Sequence, residues 1–174
     1  MKLLDIIQKR CSIRQYAPTP VEQEKVEYIL EAARLAPSAV NYQPWYFLVI
    51  EEKKNRDKVV SCYPREWIRT APLFIVVCGD RNQSWKRASD QKDHLDIDAG
   101  IAIEHICLAA AEQELGSCIV CNFEISLFRS SFHLPEQVEP VAIIPIGYPT
   151  TPELFTQTPK KRKPLEEIVR KETF

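Results

Sequence analysis

Glycine is scarce in this chain: its 174 residues contain four, Gly79, Gly100, Gly116 and Gly147. No two of them are spaced as GxGxxG, GxxxxGK or GxSxG. That excludes the glycine-rich phosphate loops of dinucleotide-binding and Walker-type proteins, and the nucleophile elbow with them. An excess of charge of one sign is also missing. Lys plus Arg is 23, Asp plus Glu is 24 and the net charge is −1, so no broad basic field exists to hold nucleic acid. No apolar run approaches the ~20 residues that a membrane span needs. Histidine is rare, and His94, His105 and His133 form no ligand pattern with the CxxC pair Cys118 and Cys121. A zinc site would need two further ligands at suitable spacing. In the opening Met-Lys-Leu-Leu-Asp-Ile-Ile-Gln-Lys-Arg, Asp5 interrupts the apolar stretch before an h-region forms. The segment therefore predicts an amphipathic first helix and a cytoplasmic protein.

What is present is the composition of a globular protein. Hydrophobic residues make up 45% and charged residues 27%, too apolar for disorder. The length predicts one domain over 1–174, with an extended C-terminal arm about 149–174 marked by Pro149, Pro152, Pro159 and Pro164. Thr19-Pro20-Val21-Glu22 has the pattern of a capping box with Pro at the first helical position. Val26, Ile29, Leu30 and Ala33 then recur at helical period up to about Ala36. Residues 45–50 and 73–78 read as strands, and 51–61 as a polar helix. Residues 81–92 show no period and read as a mobile loop or irregular helix. Residues 96–115 form the strongest helix, apolar nearly all round and so destined for a core or an oligomer interface, with Gly116 expected at its C′ position. Residues 117–120 and 141–146 read as strands, 126–133 as a short helix, and 165–171 as a terminal helix. The mixture predicts an α+β class with a sheet flanked by helices. Cysteines such as Cys78 and Cys107 lie in apolar runs, which predicts buried thiols in a reducing compartment.

Four places carry candidate chemistry. Arg10, Ser12 and Arg14 bring two guanidinium groups and a hydroxyl within five residues, suited to a phosphate, or else to a pair of surface arginines near a helix C-terminus. The loop Ala36-Pro37-Ser38-Ala39-Val40-Asn41-Tyr42-Gln43-Pro44 is stiffened by prolines and bears short hydrogen-bonding groups. It can read the polar edge of a heterocycle, or simply join a helix to a strand through turn bonds. Pro159-Lys160-Lys161-Arg162-Lys163-Pro164 can close over a phosphate or stay a solvated charge run. Cys118 and Cys121 form a CxxC in an apolar run rather than at a helix start, where a redox dithiol would want it. His94-Leu95-Asp96-Ile97-Asp98 reads as an acidic helix start rather than a metal site.

In order and spacing these segments resemble the nitroreductase family of FMN-dependent oxidoreductases. Arg10-Cys11-Ser12-Ile13-Arg14 is similar to the family's R-R-S-x-R/K. Residues 36–47 are similar to its A-P-S-x-x-N-x-Q-P-W-x-F. The long helix followed by Gly116-Ser117-Cys118 is similar to its central helix and G-L-G-S/T-C turn, and Lys160-Lys161-Arg162 to its C-terminal Lys-x-Arg. The resemblance covers essentially the whole chain.

It implies a central, mostly antiparallel sheet in an intertwined homodimer with FMN at the subunit interface. NADH or NADPH is then the reductant, and a small conjugated molecule such as a nitroaromatic or quinone the acceptor in a ping-pong scheme. Arg10 and Ser12 match contacts to the FMN phosphate and ribityl chain. Lys160 and Arg162 complete the phosphate site, and Arg14 is the cation that tunes the flavin near N1. Pro37, Ser38, Ala39 and Asn41 match a loop reaching the flavin from the other subunit. Val120, Cys121 and Asn122 match backbone groups that face the ring.

Cys11 departs from the family's second arginine, which leaves a backbone contact there. The Cys121 thiol is expected to point into the core. The chain is short for the family, so the site is expected to be open or covered by a small lid containing Trp85. Two other functions stand beside this one: a flavin-binding sensor or storage protein with little turnover, and a flavin-independent dithiol oxidoreductase using Cys118 and Cys121.

Overall fold

The structure, a computed structural model, describes residues 2–157 and 160–174. Among these residues four strands form one antiparallel sheet in the order β1-β2-β4-β3: β1 (Trp45–Ile50), β2 (Leu73–Asp80), β3 (Gly116–Ser117) and β4 (Val138–Gly147). Every residue of β2 is buried, because both faces of the sheet are covered. Phe74, Val76 and Cys78 point into a core shared with Val59, Val60 and Phe128. Leu73, Ile75 and Val77 point into a second core shared with Ile29, Ile103 and Ile106. The near-continuous apolar run of β2 is the sequence signature of such double coverage. Burying each Phe, Leu or Ile contributes roughly 1.5–3 kcal/mol.

The layer on the first face holds α3 (Lys53–Cys62) and α5 (Ile125–Phe132). The layer on the second holds α2 (Gln23–Arg34) and α4 (Leu95–Glu112), with α1 (Leu3–Lys9) against α4. Short helices α6 (Leu154–Gln157) and α7 (Leu165–Ile168) lie in the C-terminal arm. The expected α+β class and antiparallel sheet are thus observed. Among the described residues no helix is long and apolar enough to cross a membrane, and no cluster of three or more His, Cys, Asp or Glu side chains could hold a metal ion.

Several local expectations are corrected. The capping box at Thr19 does not form, and α2 starts three residues later with Glu22 as its N-cap residue. Glu22 accepts the Tyr148 hydroxyl at 2.7 Å instead of reaching back to Thr19. Gly116 is not the C′ residue of α4. Glu114 takes the left-handed conformation (φ 63°), and the amides of Glu114 and Leu115 donate to Ala111 O and Ala110 O in the Schellman pattern. Gly116 serves close approach instead: a Cβ there would lie 2.7 Å from the Ile13 Cβ.

The strand expected over 117–120 is broken after Ser117, and Val120 rejoins the sheet by one bridge to Ile143. Residues 81–92 form the loop of the two expected alternatives, not the irregular helix, and the loop is tied down. Arg81 pairs with Asp93 at 3.0 Å and Glu139 at 2.5 Å, and Lys86 bridges to Asp93. The arm is not wholly extended, since α6 interrupts it, and the terminal helix stops at Ile168. Pro159 of the basic run and Met1 lie outside the described residues.

Candidate functional site

The segment after α1 runs along the β3 edge of the sheet. Ser12 bridges to Ser117, and the Ile13 amide donates to Ser117 O at 2.9 Å. Helix α1 ends at Arg10, whose amide donates to Ile6 O at 2.8 Å. The Arg10 guanidinium lies 3.8 Å from Glu104 of α4. The C-terminal arm returns to the same place, where the Lys160 ammonium donates to the Ile7 carbonyl at the end of α1.

Lys160 is the informative group. Burial first, then the charges of Arg10 and Arg162, hold its ammonium below the ordinary lysine pKa; Cys11 and Glu104 act the other way without cancelling them. Three cations from the two ends of the chain are therefore crowded at one place, and they carry more positive charge than Glu104 offsets. Cys11 is buried, with its thiol toward Leu154 O at 3.5 Å.

Arg14 is exposed and stacks over the Trp67 ring, 5.9 Å from its centroid. Burial raises the Cys118 thiol pKa, while Arg14, the Ser12 hydroxyl and Arg10 pull it down. Arg10, Ser12 and Arg14 thus share one neighbourhood. Val120 is buried, and its amide and carbonyl are both paired with Ile143. Cys121 and Asn122 beside it are exposed. The expectation that the Cys121 thiol enters the core is therefore corrected. The chain passes the sheet edge at Val120 and turns outward, so Cys118 is buried and Cys121 is at the surface. Neither thiol stands at a helix start, and burial raises that of Cys118. A reactive dithiol needs the opposite.

The second half of the expected site lies at the other edge of the sheet, on the loop leading into β1. Val40, Asn41 and Gln43 all have positive φ, 54°, 57° and 51°. For Val40 and Gln43 that conformation costs on the order of 1 kcal/mol per residue, while Asn41 tolerates it better. Local bonds hold the loop: the Gln43 amide donates to Ser38 Oγ at 2.9 Å, and the Gln43 side chain donates to Asn41 Oδ1 at 3.2 Å. Pro37 and Asn41 are exposed, and Ser38 and Ala39 are half-buried. Within one chain this loop does not meet the Arg10 cluster, because β2 and β4 stand between the two edges. Trp85 packs edge-on to His94, with ring centroids 4.6 Å apart, which ties the proposed lid residue to the start of α4.

Two contributors escaped the sequence reading. Trp67 lies under Arg14, and nothing in its neighbourhood of the sequence announces that. Asp98 is buried at 2% exposure and accepts the Ala39 amide at 2.9 Å. Its signal was present: helical spacing puts Asp98 on the same stripe as Ala102 and Ile106, both fully buried, where a carboxylate is costly unless it has a task.

With this geometry in view, comparison with known proteins gives the class. Residues 7–62 and 60–148 match the nitroreductase family, and the chain belongs to that family. A nitroreductase family protein of Clostridium difficile 630 is 39% identical and superposes at a TM-score of 0.87 over 100% of both chains. An FMN-dependent nitroreductase of Clostridium difficile R20291 is 28% identical, with a TM-score of 0.78 over 98% of this chain and 99% of that one. The FMN reductase [NAD(P)H] of Bacillus subtilis is 28% identical across 94% of this chain and 70% of its own length.

Proposed function

We propose that the chain is an FMN-dependent oxidoreductase that uses NADH or NADPH to reduce nitroaromatic, quinone or similar conjugated acceptors by a ping-pong scheme. The observation that carries this reading is the crowded cation cluster of Arg10, Lys160 and Arg162, with the Lys160 ammonium disfavoured by burial and by its cationic neighbours. A phosphate monoester dianion supplies the missing negative charge, so the residues present fit FMN. Bound there, FMN would supply two-electron transfer between a nicotinamide and an acceptor, chemistry that no side chain offers.

The chain's own groups bind and tune. Arg10, Lys160 and Arg162 hold the phosphate, and the Ser12 hydroxyl adds a donor beside them. Cys11 contributes backbone only, since its thiol is turned toward Leu154. Arg14, braced by Trp67, is the cation that stabilises negative charge on the reduced ring. Cys121 and Asn122, both exposed, are the residues whose backbone faces the ring, whereas the Val120 polar groups are committed to Ile143. Pro37, Ser38, Ala39 and Asn41 read the heterocycle from a second copy.

The division of these residues between opposite sheet edges supports a homodimer, because a second copy is the simplest way to bring a loop to a cation cluster. Exposed apolar side chains support it too. Leu3 (65%), Leu4 (67%) and Ile97 (47%) on α1 and α4, and Leu165 (71%), Ile168 and Val169 on the arm, are uncovered in the single chain. A one-domain cytoplasmic enzyme with reduced thiols accords with the five buried cysteines.

An absorbance spectrum of the purified protein, followed by anaerobic NADH or NADPH, tests the reading. A yellow protein that bleaches within the mixing time is expected. A protein that stays colourless after incubation with FMN overturns it, and a yellow one that bleaches with neither nucleotide points to a sensor.

A further inference from the structure

The loop over residues 37–43 has an unusual energetic position. Three non-glycine residues, Val40, Asn41 and Gln43, are left-handed, and Val40 is β-branched and 65% exposed, so packing within the chain does not force its conformation. The Ser38–Gln43 and Asn41–Gln43 bonds lie within the loop and cannot fix it relative to the scaffold. Asp98 can. It stands in the first turns of α4, an 18-residue helix, and its Oδ1 accepts the Ala39 amide at 2.9 Å. Its Oδ2 is buried and has no hydrogen-bond partner among the described residues. A buried carboxylate with one oxygen unsatisfied is destabilising by itself, and the positive end of the α4 dipole offsets only part of that. Such a cost is retained where the group determines a shape.

We propose that Asp98 is the positioning residue of the cofactor-reading loop. Its carboxylate holds the Ala39 amide against α4 and locks the strained backbone of residues 38–43 in one shape, with Asn41 exposed and Ser38 and Ala39 half-buried beside it. The proposal rests on the flavin reading above and adds a residue that never touches the cofactor itself.

Asp98→Ala, Asp98→Asn and Val40→Gly test it in the full-length protein, with amide hydrogen exchange over residues 38–43 and FMN affinity as the two readouts. Loss of a charge-assisted bond predicts exchange in the loop faster by about tenfold and FMN binding weaker by about tenfold in Asp98→Ala, with the amides of β2 and β4 still protected. Asp98→Asn keeps an acceptor oxygen and should stay within about threefold of the parent. Val40→Gly adopts the left-handed conformation freely, so adding it to Asp98→Ala should recover part of the lost affinity.

Unchanged loop exchange in Asp98→Ala overturns the proposal, and so does a mobilised loop with unchanged FMN affinity. Should Asp98→Ala not fold, a folded Asp98→Asn that loses FMN as severely as Arg10→Ala overturns it, because the acceptor is still in place. A parent protein that takes up no FMN overturns the flavin reading instead. The two failures are thereby told apart.

Discussion

The two edges of the sheet are built on opposite principles. At the β3 edge the binding groups come from the two ends of the chain, Arg10 at the end of α1 and Lys160 and Arg162 on the arm. They are held by a long-range fold-back, and charge is what they have in surplus. At the β1 edge the groups come from seven consecutive residues. They are held by local bonds and strained dihedrals, and conformational strain is what they have in surplus. An anion relieves the first and a contact surface relieves the second. In the proposed reading neither edge is complete alone, and a second copy with a phosphate-bearing ring would satisfy both at once.

Removing charge at the β3 edge should have the largest effect. Arg10→Ala is expected to weaken FMN binding by about a hundredfold, roughly 2.7 kcal/mol, read by titration of the apoprotein. A hybrid of Arg10→Ala and Asp98→Ala chains sharpens the comparison. If each site takes its cations from one subunit and its loop from the other, the hybrid dimer has one undamaged site and one doubly damaged site. Parent-like affinity in half of its sites is expected, and its absence places loop and cations in the same subunit. Next comes Gly116→Ala. Its Cβ would lie 2.7 Å from the Ile13 Cβ, so segment 10–14 must move off β3. A loss of about 2 kcal/mol in denaturant unfolding is expected, with weaker FMN binding because Arg10 moves too. The same substitution at the open Gly100, where a Cβ meets nothing within 4 Å among the described residues, is the control.

The same contrast decides what the sequence revealed. The doubly covered strand β2 and the long helix α4 were legible because burial on all sides leaves an apolar run. The cations were legible as residue types, but their convergence was legible only through the family resemblance, because it depends on an arm that travels the length of the chain to reach Ile7. The loop was legible as a motif, but its strain and its tether to Asp98 were not, because φ at Val40 and a contact 59 positions away are tertiary facts. The misreadings share one cause. Thr19, Gly116 and Cys121 were assigned by local rules, and in each case a distant partner prevailed: Tyr148 on Glu22, Ile13 on Gly116, and Ile143 on Val120.

The platform that carries Asp98 is itself held electrostatically, which gives a smaller effect. Arg81 pairs with Asp93, just before α4, and with Glu139 of β4. Burial pushes the Asp93 carboxyl up, but the Leu95 amide, the Ser84 hydroxyl and Arg81 outweigh it and hold it below the ordinary aspartate value. A folded-state value below the unfolded one means that the stabilisation is present above the unfolded pKa, about 3.9, and is lost as pH falls through the folded value. Asp93→Asn should therefore lower stability by about 1 kcal/mol at pH 6 and by progressively less below about pH 4. Melting curves of both proteins from pH 6 to pH 2 check this. A gap that widens on acidification would reverse the assignment.

The smallest effect separates the two edges most cleanly. Val40 sits at φ 54° with a β-branched, largely exposed side chain, so glycine there removes strain without opening a cavity in the chain. Strain relief of on the order of 1 kcal/mol is partly cancelled by the greater freedom of glycine in the unfolded chain. The net expectation is a gain of about 0.5 kcal/mol, or roughly 1–2 °C in the melting temperature at this size. No comparable gain exists at the cation edge, where the excess is charge and no backbone change removes it. A loss of about 1 kcal/mol instead would mean that the Val40 side chain is packed in the assembled protein. The loop's strain would then be offset by contact with the second copy, and the β1 edge would owe its shape to assembly as much as to Asp98.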